Sequence, residues 1–364
     1  MIPSSALFQA SMRFSRTMFT EMDIVYNGVV LENDVPVVSG KVSTDRTSNI
    51  RYTAGIEMGM YPWDTLPLNA LGTRVRLRRG VSSIGVKEAV QVGEYQIFDY
   101  KRTNRGSVGL SLKGLEQYVI ESEFIRPRTP PYGARTLATI QSLINEVLPG
   151  SQFVVLSSTD RNIAATGAWE KDRWGAITAL AASISCEVYC GHDGRWYIVD
   201  APNVRSLAGQ YRIDGGPTGV MVEESRSSTR DGVYNAVSVS ANSSDQTVPP
   251  LWAWARDNNP ASPTYFYGPY GQRVRFYSSQ FFTDVSQCQA YADRLLIESL
   301  APNQTLSLGA TPIPFLEAGD VTTLVSEQGH PTDDFLLQKT DLPLGAGVWS
   351  AEALSTAAVA TVTI

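Results

Sequence analysis

The sequence predicts an α+β fold that is mostly β, and three observations support this. Short β-branched and aromatic runs alternate with polar residues at the period of a strand, both early and late in the chain. Apolar residues at helical spacing are confined to three stretches. At 364 residues the chain is too long for one ordinary core, so we expect two to four domains.

A first β module is predicted over residues 20–125, after an N-terminal arm of residues 1–19. From Met22 to Val42, turn-forming residues at Asn27-Gly28 and again at 32–34 interrupt runs of valine, which indicates strands joined by tight turns. Further strands are predicted by the alternation in residues 73–81, 89–102 and 107–116.

The middle of the chain, residues 126–215, is predicted to form a small α/β domain. Apolar residues recur at helical spacing in 136–150 and in 168–185, which predicts two amphipathic helices. Residues 186–200 follow as a predicted β-hairpin that turns at His192-Asp193-Gly194.

A second β module is predicted over residues 216–364. Its strands, beginning with 232–242, are interrupted by an insertion at about 250–300 that is first rich in Pro, Asn and Tyr and then helical over 284–300. The predicted organisation is therefore β, then α/β, then β.

Charge and composition exclude several classes of protein. Lys and Arg number 30 against 36 Asp and Glu, a net charge of −6, which divides into +3 for residues 1–128 and −9 for the remainder. An acidic chain is a poor candidate for sustained DNA binding. Residues 1–19 place Arg and Ser among the apolar residues, and no apolar run approaches about 20 residues. We therefore expect a protein made in the cytoplasm, not exported by the Sec route, and without stable membrane association.

The residue types that carry catalysis or bind metal do not form a recognisable pattern. The two histidines, His192 and His330, lack a nucleophile context and are expected to be ordinary loop residues. Cys186, Cys190 and Cys288 are expected to be buried thiols, because strand residues four apart lie about 13 Å from each other. The sequence predicts no enzyme, no catalytic or metal-binding residue and no cofactor.

Gly319 and Asp320 are predicted to form a structural turn. They separate an apolar run from the strand-like VTTLV, where Gly permits a positive φ and Asp can accept a hydrogen bond from the backbone two residues on. No base or nucleophile is near Asp320 in sequence, so we interpret it as a corner and not as a catalyst.

Arg74, Arg76 and Arg78 alternate with apolar residues and should line one face of a strand. Two interpretations stay open. The arginines can form a solvated outer face, or they can form a subunit interface in which their guanidinium groups meet carboxylates of a neighbouring chain.

An aromatic cluster in the insertion is a candidate protein-contact loop. Its members are Trp252, Trp254, Tyr265, Tyr267 and Tyr270. The composition suits a loop packed on its own rings or a contact surface for another protein, and a sugar-binding platform is a further alternative.

Three segments resemble the tail-hub or baseplate-hub proteins of tailed bacteriophages, in particular the minor tail proteins of phages that infect actinobacteria. The segments are SGKVSTDRTSNIR (39–51), DNNPASPTYFYGPYG (257–271) and PIPFLEAGDVTTL (312–324). The resemblance covers nearly all of the chain from about residue 15.

The resemblance implies two tail-tube-like β-barrel domains per chain, 20–125 and 216–364, with the α/β domain between them. It further implies a homotrimeric hub ring in the virion, assembled in the host cytoplasm, that lines the channel and joins the six-fold tail tube to three-fold tip proteins. The implied partners are the tail tube or distal tail ring, the tape measure and the tip proteins, with genome DNA only in transit. The alternatives are a receptor- or glycan-binding tail-tip module and a glycoside hydrolase on a β scaffold, which needs an inward-facing acid pair.

Overall fold

The computed structural model is predominantly β, with most strands in one large antiparallel sheet, as the sequence predicts. It describes residues 1–356 except 60–67, 69, 84, 103–106, 164–167, 229, 242–250, 280, 281, 283, 301–303, 328, 329 and 331. The end of the last predicted β stretch, 357–364, lies outside the described residues.

Six strands form what we call the N-terminal unit, preceded by the short helix α1 (Ala6–Ser11). They are β1 (Thr17–Tyr26), β2 (Val29–Asp45), β3 (Tyr52–Met58), β4 (Thr73–Ser83), β5 (Val86–Arg102) and β6 (Val108–Gly114). Pairing follows the order β1-β4-β5-β6-β3-β2, and β2 also pairs with β1, so the first and last strands of this order are hydrogen-bonded to each other. Asn27 and Gly28 both have positive φ, 47° and 77°, as a two-residue hairpin turn between β1 and β2 requires.

The second turn predicted in this region, at residues 32–34, is wrong. These residues lie inside β2, where the pairing with β1 shifts register. Asp34 takes a φ of 55°, and its N–H donates to the carboxylate of Asp23 at 3.1 Å. The polar residues form a bulge that leaves the strand continuous, because a bulge places one unpaired residue without ending the ladder.

Six later strands form the C-terminal unit. They are β10 (Tyr211–Asp214), β11 (Met221–Ser228), β15 (Gln304–Ala310), β16 (Val321–Val325), β17 (Asp333–Pro343) and β18 (Trp349–Ser355). Pairing follows β10-β16-β17-β18-β15-β11, antiparallel except for β10 with β16. β17 also pairs antiparallel with β2, so both units belong to one twelve-stranded sheet within the described residues.

The two units share one continuous hydrophobic core. Its largest fully buried side chains include Tyr95 of the N-terminal unit and Trp349 of the C-terminal unit. Helix α1 is capped by Ser5, whose Oγ accepts from the Phe8 N–H at 3.0 Å, and it inserts Phe8 against Phe315 with ring centroids 6.1 Å apart. Removing this apolar surface from water stabilises the contact between the units.

The middle of the chain forms an α/β module, as predicted. Its elements are α2 (Glu116–Glu121), α3 (Thr136–Asn145), β7 (Phe153–Leu156), α4 (Arg173–Ser183), β8 (Cys186–Cys190), β9 (Trp196–Asp200) and a 3₁₀ turn (Val204–Ser206), with the sheet order β7-β9-β8. Both predicted helices are shorter than expected. α4 begins only at Arg173 because Trp169 pairs with Arg128 in a β-bridge, and Asp172 caps the helix by accepting from the Gly175 N–H.

An inserted module lies between β11 and β15. It contains β12 (Ala236–Ala241), β13 (Trp252–Arg256), β14 (Val274–Ser279) and α5 (Val285–Leu300), with the sheet order β13-β12-β14. β12, predicted as a strand of the second β module, pairs in this small sheet. One face of the sheet packs on α5 through a separate hydrophobic core. None of the described helices combines the length and apolar character needed to cross a membrane.

Candidate functional site

Gly319 and Asp320 lie in a turn that joins the two units. Gly319 has a φ of 100°, and its N–H donates to Leu337 O at 2.8 Å. Asp320 Oδ2 accepts from the Glu317 N–H at 2.9 Å, so the side chain bonds backwards along the chain and not forwards as the sequence predicts. Since a Cβ on Gly319 would meet the Arg51 guanidinium at 2.3 Å, both the backbone and the neighbouring unit favour glycine here.

Glu317, at the start of this turn, contacts all three parts of the fold. Tyr52 of the N-terminal unit donates its hydroxyl to Glu317 Oε2, and the Nδ1 atom of His192, in the β8–β9 turn, lies 3.3 Å from the same oxygen. Arg51 donates to Ala318 O and lies over the Tyr189 ring at 3.8 Å. The turn therefore forms a polar junction between the N-terminal unit, the α/β module and the C-terminal unit.

The junction perturbs the pKa values of its acids in opposite directions. Burial would raise the pKa of Glu317, but hydrogen bonding and the charge of His192 hold it below its ordinary value. Burial and the nearby charge of Glu317 raise the pKa of Asp320, which also lies against the α-amino group of Met1. The pKa of His192 is raised by Glu317 although burial opposes this. At neutral pH the arrangement favours an ionised Glu317 beside His192.

Sequence reasoning missed this role of His192. The expectation of an ordinary loop histidine is wrong, because the side chain is only 13% exposed and is paired with Glu317. His330, in contrast, is exposed. No local pattern marks the contact, since His192 and Glu317 belong to modules that only the tertiary structure brings together.

A second buried acid connects the α/β module to the N-terminal unit. Glu116, at the start of α2, is fully buried, and its Oε1 accepts from the backbone N–H groups of Cys190 at 2.9 Å and of Arg51 at 3.5 Å. Burial raises the pKa of Glu116 to about 7, although these hydrogen bonds act to lower it. The two nearby cavities, of about 230 and 340 Å³, are not lined by Glu116, Glu317 or His192. The geometry suits a structural polar junction better than an active site.

The three arginines of β4 lie on one face of the strand and are paired within the chain. Arg74 and Arg76 contact the Glu94 carboxylate at 3.5 and 3.0 Å, and Arg78 contacts Asp23 and Asp34 at 2.7 and 2.5 Å. Each arginine side chain remains about one-third exposed. Their place at a subunit interface stays a prediction.

The aromatic cluster divides between a strand and a loop. Trp252 and Trp254 lie on β13, where the sequence predicts a loop, and they are 59% and 42% exposed. The period-two alternation of WAWAR was the signal for this strand. Phe276 of β14 is exposed on the same face, because Ser238 of β12 pairs with both Trp254 and Phe276. We call these three aromatic side chains and their strands the open aromatic face.

The loop part of the cluster packs partly on itself. The Arg256 guanidinium lies 4.6 Å from the Trp254 ring centroid and 4.9 Å from that of Tyr267, which makes an edge contact with Tyr265. Tyr270 donates its hydroxyl to Val233 O at 3.0 Å. The cluster is thus both a packed loop and an exposed surface.

The remaining candidates form no chemical site in the described part of the chain. Cys186, Cys190 and Cys288 are free and buried. No group of three or more His, Cys, Asp or Glu among the described residues is placed to hold a metal ion. Asp333 and Asp334 have different partners, Arg226 at 3.2 Å and Thr323 at 2.5 Å, and so do not face each other as a glycosidase pair would.

Comparison with solved structures finds this fold in tail proteins, two of them from prophages. A tail protein from Neisseria meningitidis matches with a TM-score of 0.65 at 13% identity, covering 93% of this chain and 96% of its own. The 43 kDa tail protein of prophage MuSo2 from Shewanella oneidensis matches with a TM-score of 0.59 at 11% identity, covering 92% and 98%. A prophage tail protein from Listeria monocytogenes matches with a TM-score of 0.58 at 11% identity, covering 93% and 95%.

No protein-family model matches the chain, and no curated protein matches it either. At 11–13% identity the similarity shows the fold alone. In each comparison the similarity extends over nearly the full length of both chains. It therefore includes the two units, the α/β module and the inserted module.

Proposed function

We propose that the chain is a structural component of a phage tail tip, a hub ring that joins the six-fold tail tube to three-fold tip proteins and lines the channel for genome delivery. The observation that carries the proposal is the division of the large sheet into two units of six strands each, connected by the β17–β2 pairing. Similarity of the whole fold to three tail proteins, two of them from prophages, supports the same role.

The proposal gives each unit the form of a tail-tube-like β-barrel. In the N-terminal unit the pairing of β2 with β1 supports closure, because it leaves neither end of the strand order unpaired. Three copies of a chain with two such units would give a ring of six similar barrels, which matches a six-fold tube on one side and a three-fold tip on the other.

The domain division follows from the same proposal. The proposed first barrel is 20–125 after an N-terminal arm of 1–19, the α/β domain is 126–215, and the second barrel is 216–364 with an insertion. Two elements cross these bounds, since α2 packs in the α/β module and β10 pairs in the C-terminal unit. The open aromatic face belongs to this insertion, and the arginines of β4 are the proposed subunit contact. The partners would be tail tube or distal ring, tape measure and tip proteins of the same virion.

The proposed role is architectural and not enzymatic. The acids and the histidine with shifted pKa values act on one another and on backbone groups of neighbouring modules. A junction of this kind fixes the relative position of the units, which a ring component needs.

Oligomeric mass and particle symmetry test the proposal. Light scattering on the purified chain should give a trimer, or a monomer that forms a ring only with a tail partner. Cryo-electron microscopy of the virion should place three copies at the tail tip. A stable dimer or tetramer, or a virion position outside the tail, would contradict the hub role.

A receptor- or glycan-binding role is a second candidate, favoured by the open aromatic face. Trp252, Trp254 and Phe276 are exposed on one side of a sheet whose other side is covered by α5. Aromatic side chains of this kind supply large, stiff contact area. Glycan-array binding that is lost in Trp254→Ala, with Val285→Ala on α5 as the matched control, would support this role. Absence of binding on an array and on host cells would count against it.

A further inference from the structure

An open cleft between the two units contains two arginines that have no acidic partner among the described residues. Its volume is about 800 Å³, and its walls come from the α1–β1 connection, β2, β4 and residues 311–312 and 344–347. The arginines are Arg16, just before β1, and Arg79, at an inward position of β4. Phe14 and Val38, 67% and 64% exposed, form an apolar rim.

Arg79 is only 3% exposed, and all its described partners are neutral. Its guanidinium donates to Thr20 Oγ1 and Leu344 O, both at 2.6 Å, and to Gly345 O at 3.1 Å, while its Nε is buried without a partner. Buried charges in proteins are normally paired with an opposite charge. A guanidinium at this depth with neutral partners alone is therefore an incomplete arrangement.

Arg16 repeats this pattern beside Arg79. It donates to the carbonyl groups of Met12, Phe14 and Pro312, and its Nε is also buried without a partner. In the described part of the chain, no carboxylate lies within salt-bridge distance of either arginine. Burial and, to a smaller extent, the charge of Arg16 together lower the pKa of Arg79 to about 10, so the two cations repel each other.

We propose that this cleft binds an aspartate or glutamate side chain carried on a segment of a second protein chain. A carboxylate would neutralise two guanidinium groups that repel each other, and arginine is suited to binding a carboxylate. The apolar rim favours a protein segment over a free inorganic anion, because phosphate has no apolar surface to bury. The volume accommodates several residues.

The inference goes beyond the hub proposal in part. The binding of a carboxylate follows from the cleft alone, whereas the identity of the second chain as a tail protein or another copy of this chain rests on the proposed function.

Two synthetic peptides test the inference on the full chain. One is a blocked five-residue peptide with a central glutamate flanked by leucines, and the other has glutamine in its place. Calorimetric titration should show at least fivefold tighter binding of the glutamate peptide. That preference should disappear in the Arg16→Gln variant. Arg16 is half-buried, and it is chosen over Arg79 because Arg79→Gln can perturb the 344–347 segment, to which Arg79 donates hydrogen bonds. Arg13→Gln is the control, since Arg13 pairs with Asp214 and does not line the cleft.

Equal binding of the two peptides, or a preference that survives Arg16→Gln, would overturn the inference. Phosphate binding as tight as that of the glutamate peptide would overturn the assignment to a protein segment. If the chain binds the glutamate peptide but is not incorporated into virions, the cleft binds a carboxylate and the hub role is contradicted. If the chain is incorporated into virions but shows no preference for the glutamate peptide, the hub role stands and the inference about the cleft is overturned.

Discussion

The Nδ1 atom of His192 lies 3.3 Å from Oε2 of Glu317, and this contact connects the α/β module to the C-terminal unit. Tyr52 of the N-terminal unit donates to the same carboxylate. Three parts of the fold thus depend on one side chain, so changes in its charge should affect how firmly they are held together.

Replacing His192 by Gln should lower the free energy of unfolding more at pH 6 than at pH 9. The pKa of His192 is raised in the folded state, so its contribution is fully present below the unfolded value of 6.5 and is lost as the pH rises through the folded value. We expect a loss on the order of 1 kcal/mol at pH 6. Urea unfolding at both pH values measures it.

The control is His330→Gln, at an exposed position, which should change little at either pH. An equal loss for His192→Gln at pH 6 and pH 9 would mean that the histidine charge contributes nothing.

Replacing Glu116 by Gln should stabilise the protein relative to wild type increasingly as the pH rises. Burial raises the pKa of Glu116 to about 7 from 4.5, so the folded state holds its proton more tightly, and the wild type loses stability as the pH rises between these values. Gln stays neutral and keeps an acceptor for the Cys190 N–H. The variant should gain roughly 1–3 kcal/mol relative to wild type between pH 4.5 and pH 8.

Denaturant midpoints of the two proteins at pH 4.5 and pH 8 give this difference directly. Glu123→Gln provides the comparison, because Glu123 is 58% exposed. If the difference in stability between Glu116→Gln and wild type were the same at both pH values, the folded state would not raise the pKa of Glu116.

The Gly319→Val and Asp320→Asn variants should differ strongly in stability. Valine meets both the φ of 100° and the Arg51 guanidinium, which should cost more than about 1 kcal/mol. Asparagine keeps an oxygen for the Glu317 N–H and should be mild. Melting temperatures rank the two. A folded and assembled Asp320→Asn protein without function, beside a normal Gly319→Val protein, would instead make Asp320 a chemical group.

Replacing Arg74, Arg76 and Arg78 together by Gln tests the proposed subunit interface. Because these side chains are about one-third exposed and paired within the chain, we expect a stability loss of only about 1 kcal/mol. If they also contact a neighbouring chain, association should weaken by tenfold or more. Sedimentation measures the association. Unchanged association would leave them as a solvated face.

Periodicity was sufficient to predict the β-rich class, helices α3 and α4 of the middle module and the hairpin over 186–200, but it did not predict α2. These features depend on residues close in sequence, such as Asn27-Gly28, whose positive φ values are a local property. Helix ends were less predictable, because the start of α4 is fixed by a bridge between Arg128 and Trp169 that local pattern does not reveal.

By itself the sequence determined the β-rich class, helices α3 and α4 and the turn at Asn27-Gly28, because alternation, helical spacing and glycine geometry act within a few residues. Only the tertiary structure decided that His192 meets Glu317, that Glu116 is fully buried, and that Arg16 and Arg79 share a cleft without an acid. The physical reason is that burial and charge pairing depend on which distant segments pack together, and an ionisable side chain has the same identity in the sequence whether it ends in water or between two units.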